Sequence, residues 1–281
     1  MSSAPTVYII LYSLYGHIYT LAKHIQSGLE EQGLQVKLYQ VPETLSDDIL
    51  EKMHAAPKLD LPIITAEELK DADAIVWGIP TRFGSMPSQM KAFLDSTGGL
   101  WANGTLSGKP TSAFFSTGSQ HGGQESTVYN LIPYFAHHGM LYVPLGFANA
   151  NMFDNSEVIG SSSWGSGTVS GSDGSRQVSD KEKEIALTQA KNFANVVISM
   201  QKGKVTLQQR EPSSTESSTQ QSSPVVQKEK QVQDQPKTDA PAAPAKEEQT
   251  STKPAGSSTP DHTKANKVDK KEKSPSKCFC M

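Results

Sequence analysis

Residues 7–18, V-Y-I-I-L-Y-S-L-Y-G-H-I, decide the fold. Val7 to Tyr12 is an unbroken apolar run of good strand formers, which suits a central strand buried on both faces of a parallel sheet. A short turn from Ser13 to Gly16 follows. Ile18, Leu21, Ala22, Ile25 and Leu29 then recur at helical spacing until Gly33 marks an end. A turn that feeds directly into a helix offers free backbone N–H groups and the positive end of the helix dipole, which favour an anion. The turn has neither the G-x-G-x-x-G spacing of a dinucleotide fold nor the lysine and hydroxyl of a Walker A loop. A monophosphate held by hydroxyls and amides fits better than a dinucleotide or a magnesium nucleoside triphosphate.

Working outward, Val36 to Gln40 begins an alternating second strand. Ala72–Ile79, Thr111–Phe115 and Met140–Leu145 give a third, a fourth and a fifth. Helices are expected over 47–53, 88–95, 124–138 and 180–201, the last with Ala190, Phe193, Ala194 and Val197 on one face. Strands alternating with helices imply an α/β fold with a doubly wound parallel sheet and right-handed crossovers. Five strands fit the flavodoxin-like order 2-1-3-4-5. In such a sheet ligands bind beyond the carboxyl ends of the strands, where the strand order reverses. That draws attention to Pro80–Pro87 after the third strand and Ser116–Gln124 after the fourth. Both loops join small residues to polar ones, so a flat polar ring can approach the backbone.

Composition changes sharply near residue 210. Residues 1–210 carry 15 basic and 19 acidic groups, a net charge of −4, and the remainder carries 11 and 10, a net of +1. Neither balance suggests nucleic-acid binding. The expected organisation is a folded domain over 1–205 and a disordered tail over 206–281 rich in Ser, Gln, Pro and Lys, with too few large apolar residues to offset the entropy of ordering. The two cysteines, Cys278 and Cys280, stand in the last four residues, so neither a disulfide nor a cysteine metal site is expected in the domain. No His, Cys and carboxylate spacing resembles a metal site, and no apolar run approaches the roughly 18 residues of a membrane span. A cytoplasmic protein is expected.

The three loops, taken with F-L-D-S-T-G-G-L-W at 93–101, G-G-Q-E at 122–125, A-H-H-G-M at 136–140 and G-S-D-G-S-R-Q at 171–177, resemble the WrbA-type NAD(P)H:quinone oxidoreductases. These are flavodoxin-like FMN proteins, and the likeness runs from about residue 6 to 200. The resemblance implies an FMN phosphate held by Ser13 and the amides of Leu14, Tyr15, Gly16, His17 and Ile18. It places the flavin ring beside Thr81, Arg82 and Phe83 and beside Ser116, Thr117, Gly118, Ser119, Gln120 and His121. It puts Tyr15 on the nicotinamide side, Trp101 in the substrate pocket and His137 on the exposed flavin face. One departure is that the 116–124 loop carries Gln120 and His121 where bacterial members have glycines.

The implied chemistry is two-step hydride transfer, from NADH or NADPH to the flavin and then to a quinone on one shared face. Arg82 would stabilise negative charge on the reduced ring, and His137 would hydrogen-bond or protonate the developing hydroquinone oxygen. Family members are tetramers with sites between subunits, so a homotetramer is expected. Plainer roles remain open: Trp101 as core edge, His137 as a helix C-terminal charge, Arg82 as an ion-pair partner and Tyr15 as a turn residue. A membrane-domain scaffold with little catalysis is the alternative function, and the joint presence of Tyr15, Arg82, Trp101 and His137 favours the enzyme. The terminal C-F-C-M fits a C-a-a-X lipidation signal at Cys278. Six lysines against two acids over 264–281 would add attraction to an anionic cytoplasmic membrane face.

Overall fold

The computed structural model describes residues 4–210. Its core is a parallel sheet whose first five strands are β1 (Thr6–Leu11), β2 (Gln35–Gln40), β3 (Ala74–Pro80), β4 (Pro110–Thr117) and β5 (Leu141–Tyr142), in the order β2-β1-β3-β4-β5. The flavodoxin-like order read from the sequence holds. Alternate residues of β1 explain its unbroken apolar run. Val7, Ile9 and Leu11 face a layer that includes α1 (His17–Glu31) and α7 (Asp180–Arg210). Tyr8, Ile10 and Tyr12 face the opposite layer, which includes α3 (Ser88–Asp95), α5 (Gln124–Tyr129) and α6 (Ile132–His137). Gly78 lets α1 settle on the sheet, because a Cβ there would lie 2.8 Å from Ile18 Cγ2 and 2.5 Å from Phe114 Cζ.

Four expectations need correction. The fifth strand is not continuous over 140–145. It is β5 plus a second piece, β6 (Gly167–Val169), both on the same edge of β4, with residues 143–166 inserted between them. On that edge only the first and last parts of β4 gain a strand neighbour. In the gap the Ala113 carbonyl accepts from Gln189 Nε2 at 2.8 Å, while Gln189 Oε1 accepts from the Ser166 N–H at 2.7 Å. A side-chain amide on α7 thus takes the place of a missing peptide unit. The helix expected over 124–138 is broken into α5 and α6, because Pro133 has no N–H to continue the first helix and instead occupies the opening turn of the second. An unexpected helix, α4 (Gly98–Ala102), follows α3 despite two glycines at its start. The last helix runs to Arg210 rather than 201, so 206–210 continue it. The rest of the tail, Cys278 included, lies outside the described residues.

Candidate functional site

The carboxyl ends of β1, β3 and β4 open onto one cavity of about 490 Å³. Its walls are the three loops singled out in the sequence, together with a fourth from Ser170 to Gly174. Ser13, Leu14, Tyr15, His17, Ile18, Thr81, Arg82, Phe83, Ser116, Thr117, Gly118, Ser119 and His121 are all brought together there. Gly16 is not in the wall. Its positive φ of 89° turns the chain into α1. Gln120 lines a shallower neighbouring groove that His121 also borders. Trp101 on α4 is 57% exposed, and His137 at the end of α6 is exposed as well; neither lines the cavity within this chain.

At the entrance to α1, Ser13 Oγ accepts from the Tyr19 N–H at 3.2 Å, which leaves its own hydroxyl hydrogen available. The first bond of the helix runs from the Thr20 N–H to the Gly16 carbonyl. The N–H groups of Gly16, His17 and Ile18 have no acceptor among the described residues. They crown the positive end of a 15-residue helix. The Tyr15 hydroxyl donates to the Met53 carbonyl at 3.2 Å, tying this turn to the end of α2 (Asp47–Lys52).

The loop after β3 makes a tight reversal in which Arg82 and Ser85 exchange backbone bonds of 2.7 and 2.9 Å. Both central residues have positive φ, 51° at Phe83 and 74° at Gly84. Phe83 is therefore a non-glycine residue held in the left-handed region, and it is 86% exposed. Arg82 Nη1 folds back on the Thr81 carbonyl at 2.9 Å. Thr127 Oγ1 gives its hydrogen to the Gly123 carbonyl, so in the 2.7 Å contact between hydroxyls Thr81 is the donor. Gly123 brings the β4 loop against this reversal; a Cβ on it would sit 2.7 Å from Gly84 Cα. Among the described residues no carboxylate lines the cavity, and Arg82 is the sole lysine or arginine in its wall. The site is built for an electron-rich, anionic guest.

The fourth wall is a flap that overlaps the G-S-D-G-S-R-Q stretch at 171–177. The structure shows what anchors it. Glu182, fully buried on α7, accepts from the Gly160, Val169 and Ser179 N–H groups, the Thr168 hydroxyl and Arg176 Nη1 at 2.7 to 3.3 Å. Arg176 also donates to the Val158 and Val169 carbonyls, each at 2.7 Å. A signal for Glu182 and Gln189 did exist. They fall in the same stripe as Ala186, Ala190 and Phe193, where a charged or amide residue must be buried with partners.

Behind α4 and α6 lies a second polar knot. Thr97 Oγ1 gives its hydrogen to the Leu94 carbonyl at 2.7 Å, so it accepts from both the Tyr134 hydroxyl and His138 Nε2, each at 3.1 Å. Burial pushes the Tyr134 hydroxyl up to about 12, which keeps it a donor. His138 Nδ1 is buried with no partner among the described residues. Burial, with His137 as a lesser cause, holds His138 below the usual imidazole range.

The family described as NADPH-dependent FMN reductase matches residues 7–154. This chain belongs to that family. A relative from Triphysaria versicolor named quinone-oxidoreductase QR2 is 52% identical over 195 residues, 69% of this chain and 95% of its own. A Candida albicans relative named NAD(P)H quinone oxidoreductase PST2 is 50% identical over 69% of this chain and 97% of its own. A solved WrbA-like flavodoxin from Agrobacterium tumefaciens covers 70% of this chain and 99% of its own, with a TM-score of 0.49 and 23% identity.

Proposed function

We propose that the protein is an FMN-dependent NAD(P)H:quinone oxidoreductase. The observation that carries this reading is the cavity at the switch point of the sheet, lined by no carboxylate among the described residues, in a chain of the FMN reductase family with quinone oxidoreductase relatives near 50% identity. The residues fit FMN. The unpaired amides of Gly16, His17 and Ile18 and the Ser13 hydroxyl suit a phosphate, and the loops that meet at Gly84 and Gly123 offer backbone groups to a flat polar ring. When bound, FMN supplies the two-electron relay between nicotinamide and quinone.

The chain's own part is positioning and electrostatics. Arg82 provides positive charge at the ring side of the cavity, and Thr81 is held in place by Thr127. The two substrates use one face in turn, the oxidised nicotinamide leaving before the quinone enters, with His137 hydrogen-bonding the quinone oxygen. The exposure of Trp101 and His137 supports a homotetramer in which both residues meet a neighbouring copy. Lipidation at Cys278, with the lysines of 264–281, would hold the enzyme at the cytoplasmic face of a membrane, close to lipid-soluble quinones.

The test is anaerobic mixing of FMN-loaded protein with NADH or NADPH while following flavin absorbance, then addition of benzoquinone. Bleaching followed by quinone-driven recovery is expected. Bound flavin that neither nicotinamide bleaches would refute the assignment.

A further inference from the structure

We propose that His17 holds the phosphate of the bound cofactor as an imidazolium, taking up one proton from solvent at Nδ1 when FMN binds. The inference rests on the FMN reading above and adds a proton to it. His17 is the first residue of α1, is largely buried, and lines the cavity. Its Nε2 lies 2.9 Å from the Arg176 carbonyl oxygen. A carbonyl can only accept, so Nε2 carries the hydrogen, and in neutral imidazole Nδ1 is then a bare lone pair. Nδ1 has no hydrogen-bond partner among the described residues. Unlike His138 Nδ1 it is not sealed from solvent, and the space that this side chain borders is the cavity.

The Arg176 carbonyl cannot readily turn away to release Nε2. The Arg176 N–H donates to the Ser170 carbonyl at 3.0 Å, and the guanidinium is clamped by buried Glu182 and two further carbonyls. Glu182 and Arg176 are positioning residues in this scheme: they fix the tautomer of His17 through the flap backbone. A phosphate dianion beside Gly16, His17 and Ile18 presents only acceptors, so a neutral His17 would set lone pair against lone pair. The imidazolium, a donor at both nitrogens, serves the carbonyl and the phosphate together.

Other charged or titratable groups around His17 are Arg82 from the β3 loop, His121 from the β4 loop, and Asp173 and the Glu182-paired Arg176 from the flap. Tyr15 lies in its own turn, and Lys23 and His24 are further along α1. His121 is a second imidazole in the cavity wall, so the test must separate it from His17. Imidazole and phosphate monoesters both change charge near neutral pH. Above that range neither a free imidazole nor a free phosphate monoester brings a proton, and the complex must collect one from solvent. FMN affinity should then fall by close to tenfold per pH unit, whereas riboflavin, which lacks the phosphate, should show no such slope.

The experiment is titration of the full-length apoprotein with FMN and with riboflavin between about pH 7 and about pH 9, read by flavin fluorescence. It is paired with calorimetry of FMN binding in two buffers of different ionisation heat. Expected are a falling FMN affinity with riboflavin unaffected, uptake approaching one proton per FMN at the alkaline end, and a pH-independent, weaker FMN affinity in His17→Asn, whose amide donates without titrating. A flat FMN profile, a slope shared by riboflavin, or a slope that survives in His17→Asn would overturn the role of His17; the last, if abolished by His121→Asn, would reassign the proton to His121. If His17→Asn fails to fold, calorimetry of His121→Asn decides the matter: proton uptake that persists there supports His17, and uptake that is lost there overturns its role. Absence of binding by either flavin at every pH would instead overturn the FMN reading itself.

Discussion

Phe83 is the residue at which binding and stability should be most clearly opposed. Its φ of 51° places an L-residue in the left-handed region, at a cost of roughly 1 to 2 kcal/mol. Its side chain is 86% exposed, so little burial offsets that cost. The turn has positive φ at both central positions, for which Asn-Gly is the favoured pair, and Gly84 already supplies the glycine. Phe83→Asn should therefore stabilise the flavin-free domain by about 1 kcal/mol, a rise of about 2 to 4 °C in Tm for a domain of this size. The same change removes an aromatic wall of the cavity. An aromatic contact of about 1 kcal/mol corresponds to about a fivefold loss of FMN affinity. Thermal melting of the apoprotein and fluorescence titration with FMN read the two effects separately. A Phe83→Asn apoprotein that melts below the parent would show that the ring supports the fold, and the reasoning would fail.

Gln189→Leu keeps the volume but leaves the Ala113 carbonyl and the Ser166 N–H without their partner, so chemical denaturation should report a loss of about 2 to 4 kcal/mol. Thr97→Val, nearly isosteric, removes the acceptor of Tyr134 and His138 and should cost about 2 kcal/mol by the same assay, while Thr97→Ser should recover most of it. His138 has a folded pKa below that of an unfolded histidine, so the unfolded chain binds the extra proton. The His138 contribution should be intact above about pH 6.5 and lost as pH falls through the depressed value. Melting between about pH 7 and about pH 5 should show a smaller decline in His138→Gln than in the parent.

Much of this was legible in the sequence because burial on both faces leaves an unbroken apolar signature. Val7–Tyr12 and Ala74–Ile79 carry it, and the loops that follow them could be placed by topology alone. β6 left no such trace. Gly167-Thr168-Val169 is three residues between glycine-rich turns, and it becomes a strand only because Phe115 to Thr117 present a free ladder. α4 begins on two glycines against their propensity, and it forms where Thr97 secures the chain to α6. The cavity residues named from the first three loops were nearly all brought together. The flap's anchorage was not foreseen, because the stripe of α7 marks Glu182 as a buried group in need of partners but does not point to Arg176, which a fold of the backbone brings to it.

The side-chain seal between Gln189 and Ala113 bears on how the protein is made. Chains emerge amino end first, and β1 to β4 are complete by Thr117, whereas Gln189 and β6 come much later. Until α7 has left the ribosome, the outer edge of β4 offers unpaired groups beside a strand as apolar as Ala113-Phe114-Phe115, the kind of edge that captures strands from other chains. A stall or truncation anywhere between Thr117 and Gln189 therefore leaves an adhesive intermediate rather than a smaller working domain. Such nascent chains should depend on chaperones far more than chains that extend past α7.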